Sequence, residues 1–217
     1  MPTPARPVPH RPVGTLLLAR ARPERVRIWA GRGLLSVHVT GLGPWSAVTP
    51  ASDRAQSAVP YDDAPMALAA RPLPSSLRPS ITFVVAGLRA AIVVQPRGWR
   101  TVKRWVVWLP EAGVVQAPGL PPALAVDLID VTGAGRPAMP GLLEALEDVP
   151  RDAVTWLANV HHALRLPGRD LLVDPDAALG TLVEPDPESV ARFDGIMREE
   201  AAHIAEVAHP GRRRGSR

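Results

Sequence analysis

The chain of 217 residues contains no cysteine. That excludes a disulfide scaffold, a thiolate metal site and a cysteine nucleophile. Lysine is almost as scarce: Lys103 stands alone, and the other 24 of the 25 basic residues are arginine. We read this as the codon bias of a GC-rich bacterial genome, not as a choice for phosphate recognition. Long apolar runs are also missing. The longest uncharged stretch, Gly33–Ser52, is broken by Gly41, Gly43, Pro44 and Pro50, and Ile81–Val94 is split by Arg89. No transmembrane helix is therefore expected. The apolar segment Val13–Ala19 stops at Arg20, with no small-residue cleavage site behind it. No secretory leader is expected, and the location expected is cytoplasmic. No G-x-S-x-G elbow occurs, and Ser46, Ser75 and Ser76 lie in Pro-rich stretches, so nucleophilic catalysis has no support.

Proline is plentiful instead, with 26 residues beside 17 Gly. Together they stay below the composition of low-complexity chains. The net charge of +4 conceals an asymmetry. Residues 1–109 carry 15 basic and 4 acidic side chains, +11; residues 110–217 carry 10 and 17, −7. Four of those ten are Arg212, Arg213, Arg214 and Arg217 in the tail. Such a split fits a basic surface for nucleic acid, or halves that attract each other within one fold or across a dimer.

The expected organisation is a disordered Pro-rich arm over 1–13, one α+β domain over 14–209 and a basic tail over 210–217. The arm spells P-x-x-P twice, at Pro4–Pro7 and Pro9–Pro12. Strands are expected at Gly14–Arg20, Arg25–Trp29 and Leu35–Thr40, the last two from period-two alternation. Residues 43–80, with seven prolines, read as an exposed excursion interrupted by a short helix near Ala64–Ala70. Strands resume at Ile81–Ala86, Ala90–Gln95, Val102–Leu109, Gly113–Gln116 and Leu124–Val131. The unbroken apolar run Trp105–Leu109 suggests a central strand covered on both faces. Helical spacing then takes over at Met139–Asp148, Pro150–Arg165 and Pro187–His209, the last capped by Asp186. Strands over 14–131 followed by helices over 139–209 give a mostly antiparallel twisted sheet, or a partial barrel, packed by C-terminal helices.

Few motifs carry chemistry. Gly133-Ala134-Gly135-Arg136-Pro137-Ala138 fits G-x-G-x-x-A behind an expected strand. Pro137 removes an amide where the following helix should run, and no acidic strand end follows. A Gly-rich turn is the better account, and no cofactor is expected.

The last helix spells Glu200-x-x-His203 and Glu206-x-x-His209, a spacing that can ligate one metal. A helical wheel turns Glu200 into the apolar face of Val190, Phe193, Ile196, Met197, Ala201, Ile204 and Val207. His203 falls at the edge of that face; Glu206 and His209 turn away. His161 sits at the centre of another apolar face, as a hydrogen-bonded core residue or, with Asp170, Asp174 and Asp176, as a metal ligand. The candidate metal ligands are therefore Glu200, His203 and His161.

The run Arg97-Gly98-Trp99-Arg100-Thr101-Val102-Lys103-Arg104-Trp105 interleaves cations with rings, as single-stranded nucleic acid would require. Arg25, Arg27 and His38 on the wet faces of neighbouring strands would extend that surface. With no motif standing clear of a structural explanation, the expected function is a non-catalytic interaction module. It would bind a protein partner or itself as a homo-oligomer, through opposed basic and acidic surfaces. A nucleic-acid-binding protein using Arg97, Trp99, Arg100, Lys103, Arg104, Arg25 and Arg27 is the alternative. A metal-dependent enzyme or sensor is a second.

Overall fold

The computed structural model describes residues 13–98 and 101–208. The Pro-rich arm ahead of Val13, Trp99, Arg100, His209 and the basic tail lie outside the described residues. The first half runs β1 (Leu16–Ala19), α1 (Pro23–Gly31), β2 (Val37–Leu42), β3 (Trp45–Pro50), α2 (Ala64–Ala70) and β4 (Ser80–Ala86). A meander of β5 (Arg89–Gln95), β6 (Arg104–Leu109) and β7 (Gly113–Val115) follows. The second half is α3 (Ala125–Thr132), α4 (Met139–Glu147), α5 (Ala153–Ala163), α6 (Arg169–Val173), β8 (Thr181–Val183) and α7 (Pro187–Ala208).

All eight strands join one open antiparallel sheet in the order β7-β6-β5-β4-β1-β3-β2-β8. The fold is α+β, as expected, and the sheet is not closed into a barrel. Within it, β1-α1-β2-β3-α2-β4 has the order β4-β1-β3-β2. That is two interlocked split β-α-β units, the ferredoxin-like connectivity. The usual right-handedness of such crossovers puts α1 and α2 on one face. Their Val26, Trp29, Ala30, Ala64 and Leu68 do pack together, against Leu17, Val39 and Val48. The other face, with Leu18, Phe83, Ile92 and Trp108, is roofed by α3–α6 through Leu128, Leu142, Trp156, Leu157 and Leu172. Buried on both sides, β1 is apolar at every position, Leu16-Leu17-Leu18-Ala19.

Several expectations are corrected. Arg25–Trp29 is helix, not strand. Pro23 fits the first turn, Glu24 favours the positive helix end, and Val26, Trp29 and Ala30 are buried at helical spacing. Ile28, which a strand would have buried with Val26, is 61% exposed. Leu124–Val131 is likewise α3. The Asp127 carboxylate accepts from the Leu124 amide at 2.9 Å, and Gly133 closes the helix at φ 72°.

The stretch 43–80 is not an exposed excursion throughout, since it holds α2 and the fully buried β3. Three of its prolines fall at element ends: Pro44 in the Gly43-Pro44 hairpin turn, Pro50 at the last pair of β3, Pro65 in the first turn of α2. The run Trp105–Leu109 belongs to β6, next to the sheet edge. Val106 and Trp108 are buried under the helices, while Trp105, Val107 and Leu109 stay half-buried on the face beyond α2. Neither α6 nor β8 was anticipated.

Candidate functional site

The sequence-nominated basic residues do not form one surface. Lys103 donates to the carbonyls of Ala69, at 3.0 Å, and Ala70, so it caps the C-terminus of α2. Burial, reinforced by Arg78, pushes the Lys103 pKa down to about 8. Arg104 projects to the opposite face and pairs with Asp127 of α3. Arg97 is exposed in the β5–β6 turn and shares a cleft with Arg20, Arg104, Asp127 and Asp130. Arg25 and Arg27 are on a helix, contrary to expectation. Arg27 bonds to Glu24 at 3.2 Å, on the sheet face away from Arg104. His38 is on β2, at the far end of the sheet from β6.

The nominated metal ligands are also kept apart. His161 is on α5 and fully buried on the α3–α6 face. Its Nε2 lies 3.1 Å from the Pro167 carbonyl, and its ring lies 5.3 Å from that of Phe83. Burial pushes its pKa down to about 4, against a smaller opposing effect of that carbonyl. The ring is therefore neutral at pH 7, with Nε2–H as donor and Nδ1 without a partner.

Glu200 and His203 lie on the other side of the sheet, both exposed on α7. Glu200 was expected to face apolar neighbours; the helix leaves the body before that residue, so nothing covers it. Among the described residues no three His, Asp or Glu side chains converge as a metal site. Gly133–Ala138 is a Gly-rich turn leading into a short 3-10 helix over Arg136–Ala138, between α3 and α4, without the strand that a dinucleotide motif needs.

A different site emerges on the α1/α2 side. A groove of about 490 Å³ runs between α2, the segment 60–63, the turn after α1 and the root of α7. Leu34, Leu35, Tyr61, Met66, Ala67, Phe193 and Met197 make its walls apolar. Its charged lining residues are Asp63, Arg32 and Arg71. The Arg71 guanidinium stacks over Trp29 at 4.0 Å and donates to the carbonyls of Trp29 and Ala30, closing the end of α1. Burial lowers its pKa to about 10, so it keeps its charge at pH 7. Gly33 makes room for it: a Cβ there would lie 2.2 Å from Arg71 Nη1 and 2.9 Å from the Ala30 carbonyl.

α7 reaches this groove by way of β8. Gly180 lets the chain pass β2, since a Cβ would lie 2.1 Å from the Val39 carbonyl. The Asp186 amide donates to Gly31 at 2.7 Å, and the Asp186 carboxylate caps α7 through Glu188 and Ser189, as expected. Tyr61 and Phe193 then meet edge to face at 5.4 Å. Past Met197 the described side chains of the helix are all exposed; Ile204 is 59% so.

Arg71, Tyr61 and Met66 escaped sequence reading because nothing local marks them. Phe193 and Met197 were legible as the apolar face of the last helix, though not what that face meets.

The charge asymmetry acquires a spatial meaning. The α1/α2 layer displays Arg22, Arg25 and Arg32 against Glu24 and Asp63, and the α3–α6 layer displays Asp130, Glu144, Glu147, Asp148, Asp152 and Asp170 against Arg136, Arg151, Arg165 and Arg169, so the first is net basic and the second net acidic. No helix among the described residues is long and apolar enough to cross a membrane. Compared with known proteins, the chain matches no family model, no curated protein and no solved structure.

Proposed function

We propose that the chain is a non-catalytic cytoplasmic interaction module that self-associates through opposed basic and acidic surfaces. One observation carries this reading. α7 is an amphipathic helix whose described charges, Glu188, Asp194, Glu199 and Glu200 against Arg192 and Arg198, sum to −2, and it stands beside the basic α1/α2 layer with Ile196 and Ile204 uncovered. Bare apolar side chains on a projecting helix are the usual mark of a protein contact. The groove adds a receiving surface, with apolar walls and arginines at its rim. The separation of Arg104 from Arg25 and Arg27 by the sheet weighs against one continuous nucleic-acid surface.

Sedimentation equilibrium over a salt series tests the reading. Association is expected at low salt, weakening as salt rises from about 0.1 to 1 M, because rim charges are screened. A monomer indifferent to salt overturns it.

A further inference from the structure

We propose that the distal half of α7 docks into the α1/α2-side groove of a second copy of this chain, each copy giving its helix to the other. The proposal rests on the self-association reading and specifies its contact.

Three observations support it. The first is an unsupported helix. Every residue from 198 to 204 is exposed, and Ile196 and Ile204 are 52% and 59% so. Helical segments this short are marginal in water without packing. The second is reach. Ile204 lies eleven residues beyond Phe193, about 16 Å along the axis at 1.5 Å per residue. An unbroken α7 therefore cannot place Ile204 in its own groove, where Met66 remains 39% exposed. A second copy can, and the same rotation returns the favour, giving a closed two-fold pair.

The third is charge. Residues 198–204 carry Glu199 and Glu200 against Arg198. The groove rim offers Arg32 and Arg71, neither with a carboxylate partner among the described residues, against Asp63. The segment sums to −1 and the rim to +1, so the net charges favour docking of the apolar area.

The absence of cysteine makes the test direct. A Met66→Cys chain and an Ile204→Cys chain are purified separately, mixed and mildly oxidised. The expected product is a mixed disulfide dimer, well above the yield from Leu143→Cys, on the opposite face, mixed with Ile204→Cys. In sedimentation, Ile204→Asp should raise the dissociation constant of the unmodified pair roughly tenfold or more, the scale of a lost interface anchor. A chain that sediments as a dimer but gives no excess mixed disulfide overturns the helix exchange and leaves the self-association reading standing. A chain that stays monomeric at its highest soluble concentration overturns both.

Discussion

The two faces of the sheet share the same strands but are finished differently. On the α3–α6 face the roof is complete. Trp108 and Trp156 are fully buried, with ring centroids 5.8 Å apart and planes 19° from parallel. Even a titratable ring, His161, is enclosed there. On the α1/α2 face two short helices cover the centre, and Trp105 and Val107 remain half-buried beyond them. The groove opens beside α2. A face that keeps a protein folded should be sensitive to lost volume and indifferent to partners. A face that binds should show the reverse.

The largest effect expected from that contrast is at Trp156. Trp156→Ala should cost about 3–5 kcal/mol, the range for removing a buried large aromatic. Met66→Ala on the open face should cost under about 1 kcal/mol, because that side chain already touches solvent. Chemical denaturation of the two variants checks this, and comparable losses would erase the distinction between the faces.

The next largest concerns pH. The folded pKa of His161, about 4, lies below the ordinary 6.5. As pH falls through 6.5 the unfolded chain takes up a proton that the folded chain refuses. Stability therefore drops between pH 6.5 and 4, by up to about 3 kcal/mol. His161→Leu should flatten that slope, whatever it does to stability at pH 7. An acid slope unchanged in the variant would remove His161 as its cause.

The smallest of the three lies at the groove. Gly33→Ala would crowd Arg71 and the Ala30 carbonyl, with an expected loss of about 1–2 kcal/mol as the stack on Trp29 shifts. Unchanged denaturation would mean that Arg71 moves aside freely.

How much was legible depended on pattern length. Helices α4, α5 and α7 were readable because ten or more residues of helical spacing, with Asp186 capping the last, leave little ambiguity; Asp152 caps α5 three residues later than the expected start at Pro150. Arg25–Trp29 and Leu124–Val131 were misread because five to eight apolar-rich residues fit both periods. The decisive signs were Pro23 in the first turn and Gly133 at the end. β3 was hidden because Pro44 and Pro50 suggest loop until it is known that they occupy a turn and a strand end.

For the candidate site, sequence pattern located the apolar face of the last helix. It could not locate the groove, whose walls come from residues 34 to 197 and meet only after the split β-α-β crossovers bring α2 beside the end of α1.

By itself the sequence determined the α+β class, the run of strands from Ile81 to Gln116 and the late helices, because these follow from local periodicity and caps. It also determined that charge is divided between the halves. Only the tertiary structure decided which side each half faces, because a strand exposes two faces and periodicity does not say what covers either. The α1/α2 layer is net basic and the α3–α6 layer net acidic, though both carry charges of either sign. β8 then carries α7 back to the basic side, and there it leaves Ile204 uncovered.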